Sequence, residues 1–148
     1  RHRPSEHQME ALVTARVSLN ISREPLFTLP LPRNGVDWLN LNRKGGHWSK
    51  EYKTKQAWQQ IAMVQCTNFR IPRELPPCDV QFTYFFQQER GRDGANWIVD
   101  KPVIDYLVKQ WRCWPDDTTE WVTVLPNILL VRPSQPEGVI MRAYPKEA

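Results

Sequence analysis

The chain has 148 residues, of which 41% are hydrophobic and 24% charged, with a net charge of +4 and a pI near 9.1. That is one domain of ordinary size, long enough to bury a single core, and the balance excludes a disordered chain. No run of about 18 apolar residues is present, so no membrane-spanning helix is expected; the polar start from Arg1 to Glu10 does not read as a secretory signal.

In chain order, residues 1–24 are polar with a short apolar-periodic piece at Met9, Leu12, Val13 and Val17, and read as a flexible or loosely attached arm. Leu26 to Leu31 alternates and predicts a strand, with Pro30 and Pro32 placing it at an edge. Arg33 to Gly46 is an Asn- and Gly-containing loop. Ser49 is a candidate cap for a helix running to about Phe69, with Trp58, Ile61, Ala62, Gln65, Cys66 and Phe69 near one face. Three prolines between Ile71 and Cys78 make a connector.

Asp79 to Gln88 is β-branched and aromatic and predicts a central strand. Glu89 to Asn96 is a polar loop. A second helix runs from Lys101 to Trp111, with Asp100 able to cap it and Pro102 in its first turn, where a missing N–H costs nothing. Its apolar stripe is Val103, Ile104, Leu107, Val108 and Trp111; Lys101, Asp105, Lys109 and Arg112 lie opposite. Trp114 to Thr119 is a turn, followed by strands at Trp121–Leu125, Ile128–Val131 and Val139–Tyr144. The order β-α-β-α-β-β-β predicts an α/β (α+β) domain over residues 25–148, a mixed sheet flanked by two main helices.

The three cysteines, Cys66, Cys78 and Cys113, are far apart and make no C-x-x-C pair. They argue against a disulfide framework or a zinc finger and predict reduced, buried thiols in a cytoplasmic protein.

Charge is distributed unevenly. Arg43, Lys44, Lys50, Lys53 and Lys55 form one basic cluster, with His47 among them, and Arg90 and Arg92 follow. Asp93, Asp100, Asp105, Asp116 and Asp117 gather in one later stretch. Basic residues can hold phosphates without reading sequence, and carboxylates can hold a hard cation such as Mg²⁺. Spacing alone also fits blander roles: a helix-surface ion pair for Lys101 and Asp105, turn residues for Asp93, Asp116 and Asp117, a cap for Asp100. Trp58, Trp111 and Trp121 sit on apolar faces and are expected in the core. Trp38, Trp48, Trp97 and Trp114 fall in loops, where they would stack on unpaired bases or fill a dimer interface.

Asp93-x-x-Asn96, Lys101-x-x-x-Asp105 and Trp114-Pro115-Asp116-Asp117-Thr118 before the strand at Trp121 follow one another in order. Ahead of them come Leu29-Pro30-Leu31-Pro32, Leu39-Asn40-Leu41-Asn42, His47-Trp48 and Lys55-x-x-Trp58. Over roughly residues 26–132 this order resembles the RusA-like Holliday-junction resolvases, and within them the phage-encoded branch found with actinobacterial hosts. The resemblance implies a homodimeric, Mg²⁺-dependent endonuclease that cuts four-way junctions symmetrically, Mn²⁺ being able to substitute. It implies catalytic roles for Asp93, Lys101, Asp105 and Asp117, with Asp93, Asp105, Asp116 and Asp117 around the metal. DNA contacts are expected from Arg43, Lys44, His47, Lys50, Lys53, Lys55, Arg90, Arg92 and Asn96. Ala95 stands where the family carries its second aspartate, and the segment from Asn96 to Lys101 is longer than the family's. That departure leaves a second expectation open, a weak or inactive relative that binds branched or single-stranded DNA.

Overall fold

Aromatic and β-branched residues at alternate positions, and apolar residues at spacings of three and four, set the elements. The structure, a computed structural model, describes residues 23–39, 48–89 and 98–147, with side chains in the middle stretch from residue 51 onward. Strand β1 is Phe27–Pro32, helix α1 Trp48–Asn68, β2 Cys78–Phe86, α2 Asp100–Lys109, β3 Val122–Val124, β4 Ile128–Val131 and β5 Gly138–Pro145. The predicted order β-α-β-α-β-β-β is present, and the fold is the expected α+β domain with a mixed sheet and two helices.

The sheet is five-stranded, ordered β1-β5-β2-β3, with β4 also beside β2. Strand β1 pairs antiparallel with β5, and β5 antiparallel with β2. Strands β3 and β4 both run parallel to β2, β3 along Cys78–Val80 and β4 along Thr83–Phe86. They form one interrupted strand. At the break, Leu125 N–H donates to the Val80 carbonyl and the Gln81 amide to the Pro126 carbonyl. β1 is an edge strand, as its prolines require, and β2 is central.

Both helices pack on one face of the sheet. Leu29, Leu31, Val80, Phe82, Tyr84, Met141 and Ala143 point into that layer and meet Trp58, Ala62 and Cys66 of α1 and Val103 and Leu107 of α2, all nearly or fully buried. Full burial of a large apolar side chain stabilises by roughly 1.5–3 kcal/mol relative to exposure.

Helix α1 begins one residue ahead of Ser49, so Ser49 lies inside its first turn and not at its cap, and Trp48 belongs to the helix and not to a loop. The helix ends in a Schellman-type turn: Ile71 N–H bonds the Cys66 carbonyl, Arg70 N–H the Thr67 carbonyl, and Arg70 takes φ +50°. The reversal buries Ile71 and leaves Phe69 exposed, so Phe69 is not part of the core stripe as expected. Among the described residues no helix is long and apolar enough to cross a membrane.

Two aromatic expectations are corrected. Trp38 is buried: it stacks on Trp58 with ring centroids 5.2 Å apart and meets Phe86 edge-on. Trp114 is buried too, its indole N–H on the Pro76 carbonyl. Neither is free to stack on a base or a partner. Trp111 and Trp121 line the core only partly buried. Trp97 lies outside the described residues. All three cysteines are free and buried. Arg23, inside the expected arm, is bound to the sheet: its guanidinium reaches Asp79 at 2.9 Å and the Pro145 carbonyl.

Candidate functional site

The expected site residues divide between what is described and what is not. Arg43, Lys44 and His47 fall in residues 40–47, and Arg90, Arg92, Asp93 and Asn96 in residues 90–97; both segments, like the side chain of Lys50, lie outside the described residues. The frame fixes where each segment leaves and returns.

Glu137 is central to that frame. Its carboxylate accepts the Trp38 indole N–H at 3.2 Å and the Gln87 backbone N–H at 2.8 Å, and it is ion-paired with Arg33. Trp38 stands two residues before the 40–47 segment and Gln87 three before the 90–97 segment. One nearly buried carboxylate, its side chain 7% exposed, therefore ties the chain at the entrance to both. Beside it lies a polar cleft of about 320 Å³ lined by Arg33, Asn34, Gln87 and Glu137 among others.

The far end of the 90–97 segment is fixed by a buried network. The Tyr84 hydroxyl accepts the Val99 N–H at 2.7 Å and donates to Asp100 Oδ1. The Asn127 amide donates to Asp100 Oδ2 at 3.0 Å. Burial pushes the Asp100 carboxyl above its ordinary value, against the lowering effect of these two hydrogen bonds. The same burial, with the Asp100 charge beside it, holds Tyr84 well above the usual tyrosine range. Asp100 is the first residue of α2, whose cap position is Val99 with no side-chain capping bond. The expected role of Asp100 as helix cap is therefore replaced by a different one, an anchor that joins α2 to β2 and to the β3–β4 break. With both oxygens bonded and little exposure, Asp100 is a poor metal ligand.

Lys101 is exposed and Asp105 half-buried on α2. Among the described residues the two are not ion-paired with each other. Gln59 of α1 donates to the Pro102 carbonyl at 3.1 Å, so α1 passes the first turn of α2. Lys53 and Lys55 stand exposed one to two turns before Gln59 on the same helix. Asp116 and Asp117 are exposed in the turn after α2, where the Asp117 N–H donates to Asp116 Oδ1 at 2.7 Å. Their turn leads into β3, whose Val122 stands level with Cys78, the first residue of β2. The 90–97 segment departs beyond Phe86, the last. Eight residue steps separate those levels, roughly 27 Å along the strand. The turn that carries Asp117 thus leads to the opposite end of β2 from the one where the chain departs toward Asp93. Among the described residues, no three His, Cys, Asp or Glu side chains come together as a metal site.

Sequence reasoning missed Glu137, Tyr84 and Asn127. Tyr84 reads only as one more aromatic in a core strand, and Glu137 and Asn127 sit in connectors whose partners are remote in sequence.

No protein-family model matches the chain, and no curated protein matches it significantly.

Proposed function

We propose that this chain is a Mg²⁺-dependent endonuclease that acts on branched DNA, as a homodimer, in the manner of the junction resolvases its motif order resembles. The observation that carries the reading is the shared Glu137 tie. Trp38, two residues before the basic segment with Arg43, Lys44 and His47, and Gln87, three residues before the segment with Arg90, Arg92, Asp93 and Asn96, are bound to a single carboxylate. Phosphate-holding and cation-holding residues have to meet in this way for hydrolysis of a backbone.

The donor chemistry fits the cation. Asp105, Asp116 and Asp117 offer hard oxygens that no ion pair occupies among the described residues. A site shared by Asp93, Asp105 and Asp117 would have Lys101 on the same helix as Asp105. A bound Mg²⁺ would supply charge stabilisation at the scissile phosphate and lower the pKa of attacking water. Lys101 would offset negative charge on the phosphate, and Lys53 and Lys55 would hold the flanking backbone.

Ala95 favours a second reading. With one family carboxylate absent, the same frame serves a protein that binds branched or single-stranded DNA without cutting it. Cleavage of a four-way junction in the presence and absence of Mg²⁺ separates the two.

A further inference from the structure

Of the seven asparagines in the chain, Asn34 alone is followed by glycine; the others precede Ile21, Leu41, Arg43, Phe69, Trp97 and Ile128. The difference bears on a reaction that asparagine undergoes without any enzyme. The backbone nitrogen of the next residue attacks the side-chain amide carbon, and a side chain on that next residue obstructs the approach. Glycine has none. Asn34 and Gly35 are the two central residues of the tight turn that follows β1. The Val36 N–H donates to the Arg33 carbonyl at 3.0 Å, and φ is +52° at Asn34 and +78° at Gly35, as in a type I′ turn. Both residues are exposed. Among the described residues, no atom beyond its chain neighbours stands within 4 Å of where a Cβ on Gly35 would be. Neither the Gly35 N–H nor the Asn34 side chain has a hydrogen-bond partner among them. What closes the turn is Arg33: its Nε–H donates to the Val36 carbonyl, and its guanidinium is held by Glu137.

We propose that Asn34 is a site of spontaneous modification, which deamidates in the folded protein and puts a new carboxylate into the polar cleft lined by Arg33, Gln87 and Glu137. The closed turn holds the Gly35 nitrogen away from the Asn34 side-chain carbon, so the reaction runs through openings of the turn. The Gly35 nitrogen then gives its proton to hydroxide and bonds to Asn34 Cγ. The bond from Cγ to the side-chain nitrogen breaks, and ammonia leaves with a proton taken from water. A second water opens the five-membered imide at one carbonyl or the other, leaving aspartate or its isomer with the backbone routed through the side chain. In sum, an amide and a water become a carboxylate and an ammonium ion. The new charge competes with Glu137 for Arg33 and repels the Glu137 carboxylate. Glu137 also holds Trp38 and the Gln87 N–H, so both ties loosen. This inference stands apart from the nuclease reading.

Mass spectrometry of peptides cut from the full chain, after ageing at mildly alkaline pH, tests it. The peptide that holds Asn34 is expected to show the mass of the acid at least about tenfold faster than any peptide holding another asparagine, since only there is the attacking nitrogen unobstructed. It should convert more slowly than a free peptide of residues 30–39, because in the protein the turn must open first. Glu137→Gln, which loosens Arg33, is expected to narrow that gap. The aged fraction, separated by its extra charge, should exchange the amides of residues 36–39 and 87–89 faster than fresh protein. Asn34 still intact when the free peptide has converted would overturn the inference. So would conversion that leaves exchange unaltered at both places.

Discussion

The Tyr84 hydroxyl donates a hydrogen bond to the Asp100 carboxylate across the interface between the central strand and the second helix, with both side chains buried. The same hydroxyl accepts the Val99 N–H, so one side chain fixes the angle at which α2 leaves the candidate site. A buried carboxylate and a backbone N–H both depend on it.

Replacing Tyr84 with Phe keeps the ring and deletes that oxygen. Two buried polar groups are left unsatisfied, each costing about 1–3 kcal/mol. Tyr84→Phe is therefore expected to lower stability by roughly 2–4 kcal/mol in urea unfolding, with far-ultraviolet dichroism unchanged. A loss under about 0.5 kcal/mol would mean that the network carries nothing.

Asp100 gives a pH signature. Burial raises its folded pKa above its unfolded one, so the folded state holds the proton more tightly. Its contribution to stability is therefore greatest at low pH and falls as pH rises from about 4 through the raised value. Measured between pH 4 and 7, wild type is expected to lose stability relative to Asp100→Asn, because asparagine cannot ionise. A difference independent of pH would contradict the assignment.

Glu137 is the shared tie of the two segments. Glu137→Gln removes a charge facing Arg33 and weakens the bonds to Trp38 and Gln87. The expected cost is about 1–3 kcal/mol, and hydrogen exchange should quicken at residues 36–39 and 87–89 together while the core of β5 is unchanged. Acceleration at only one of the two places would mean that the carboxylate does not couple them.

Lys53 and Lys55 are exposed on the part of α1 that leads to its contact with α2. If they hold phosphates, the double Lys→Ala variant weakens binding of all DNA alike. The slope of log affinity against log salt should flatten by about 1 for each lysine. An unchanged slope removes both from the interface.

The elements were legible because their signals are local. β2 announces itself through six β-branched or aromatic residues between Val80 and Phe86, and α2 through the stripe Val103, Ile104, Leu107 and Val108. What misled were residues whose environment is made by distant chain. Trp38 and Trp114 look like loop tryptophans until the loops fold back on Trp58 and the Pro76 carbonyl. Phe69 fits the helical period, but Arg70 reverses the chain one residue later. Asp100 has the right spacing for a cap, and tertiary bonds from Tyr84 and Asn127 take it for another task. The candidate site is legible in the sequence only as residue types in order, which spacing does not turn into geometry: it does not reveal that β3 starts level with the first residue of β2.

The most direct test is incubation of a labelled four-way junction, beside a linear duplex, with Mg²⁺ or with EDTA. Paired nicks confined to the junction, requiring Mg²⁺ and lost in Asp93→Asn and Asp117→Asn while junction binding persists, are the predicted result. Binding with no cut in Mg²⁺ or Mn²⁺, or cutting that survives Asp93→Asn, would contradict the nuclease assignment.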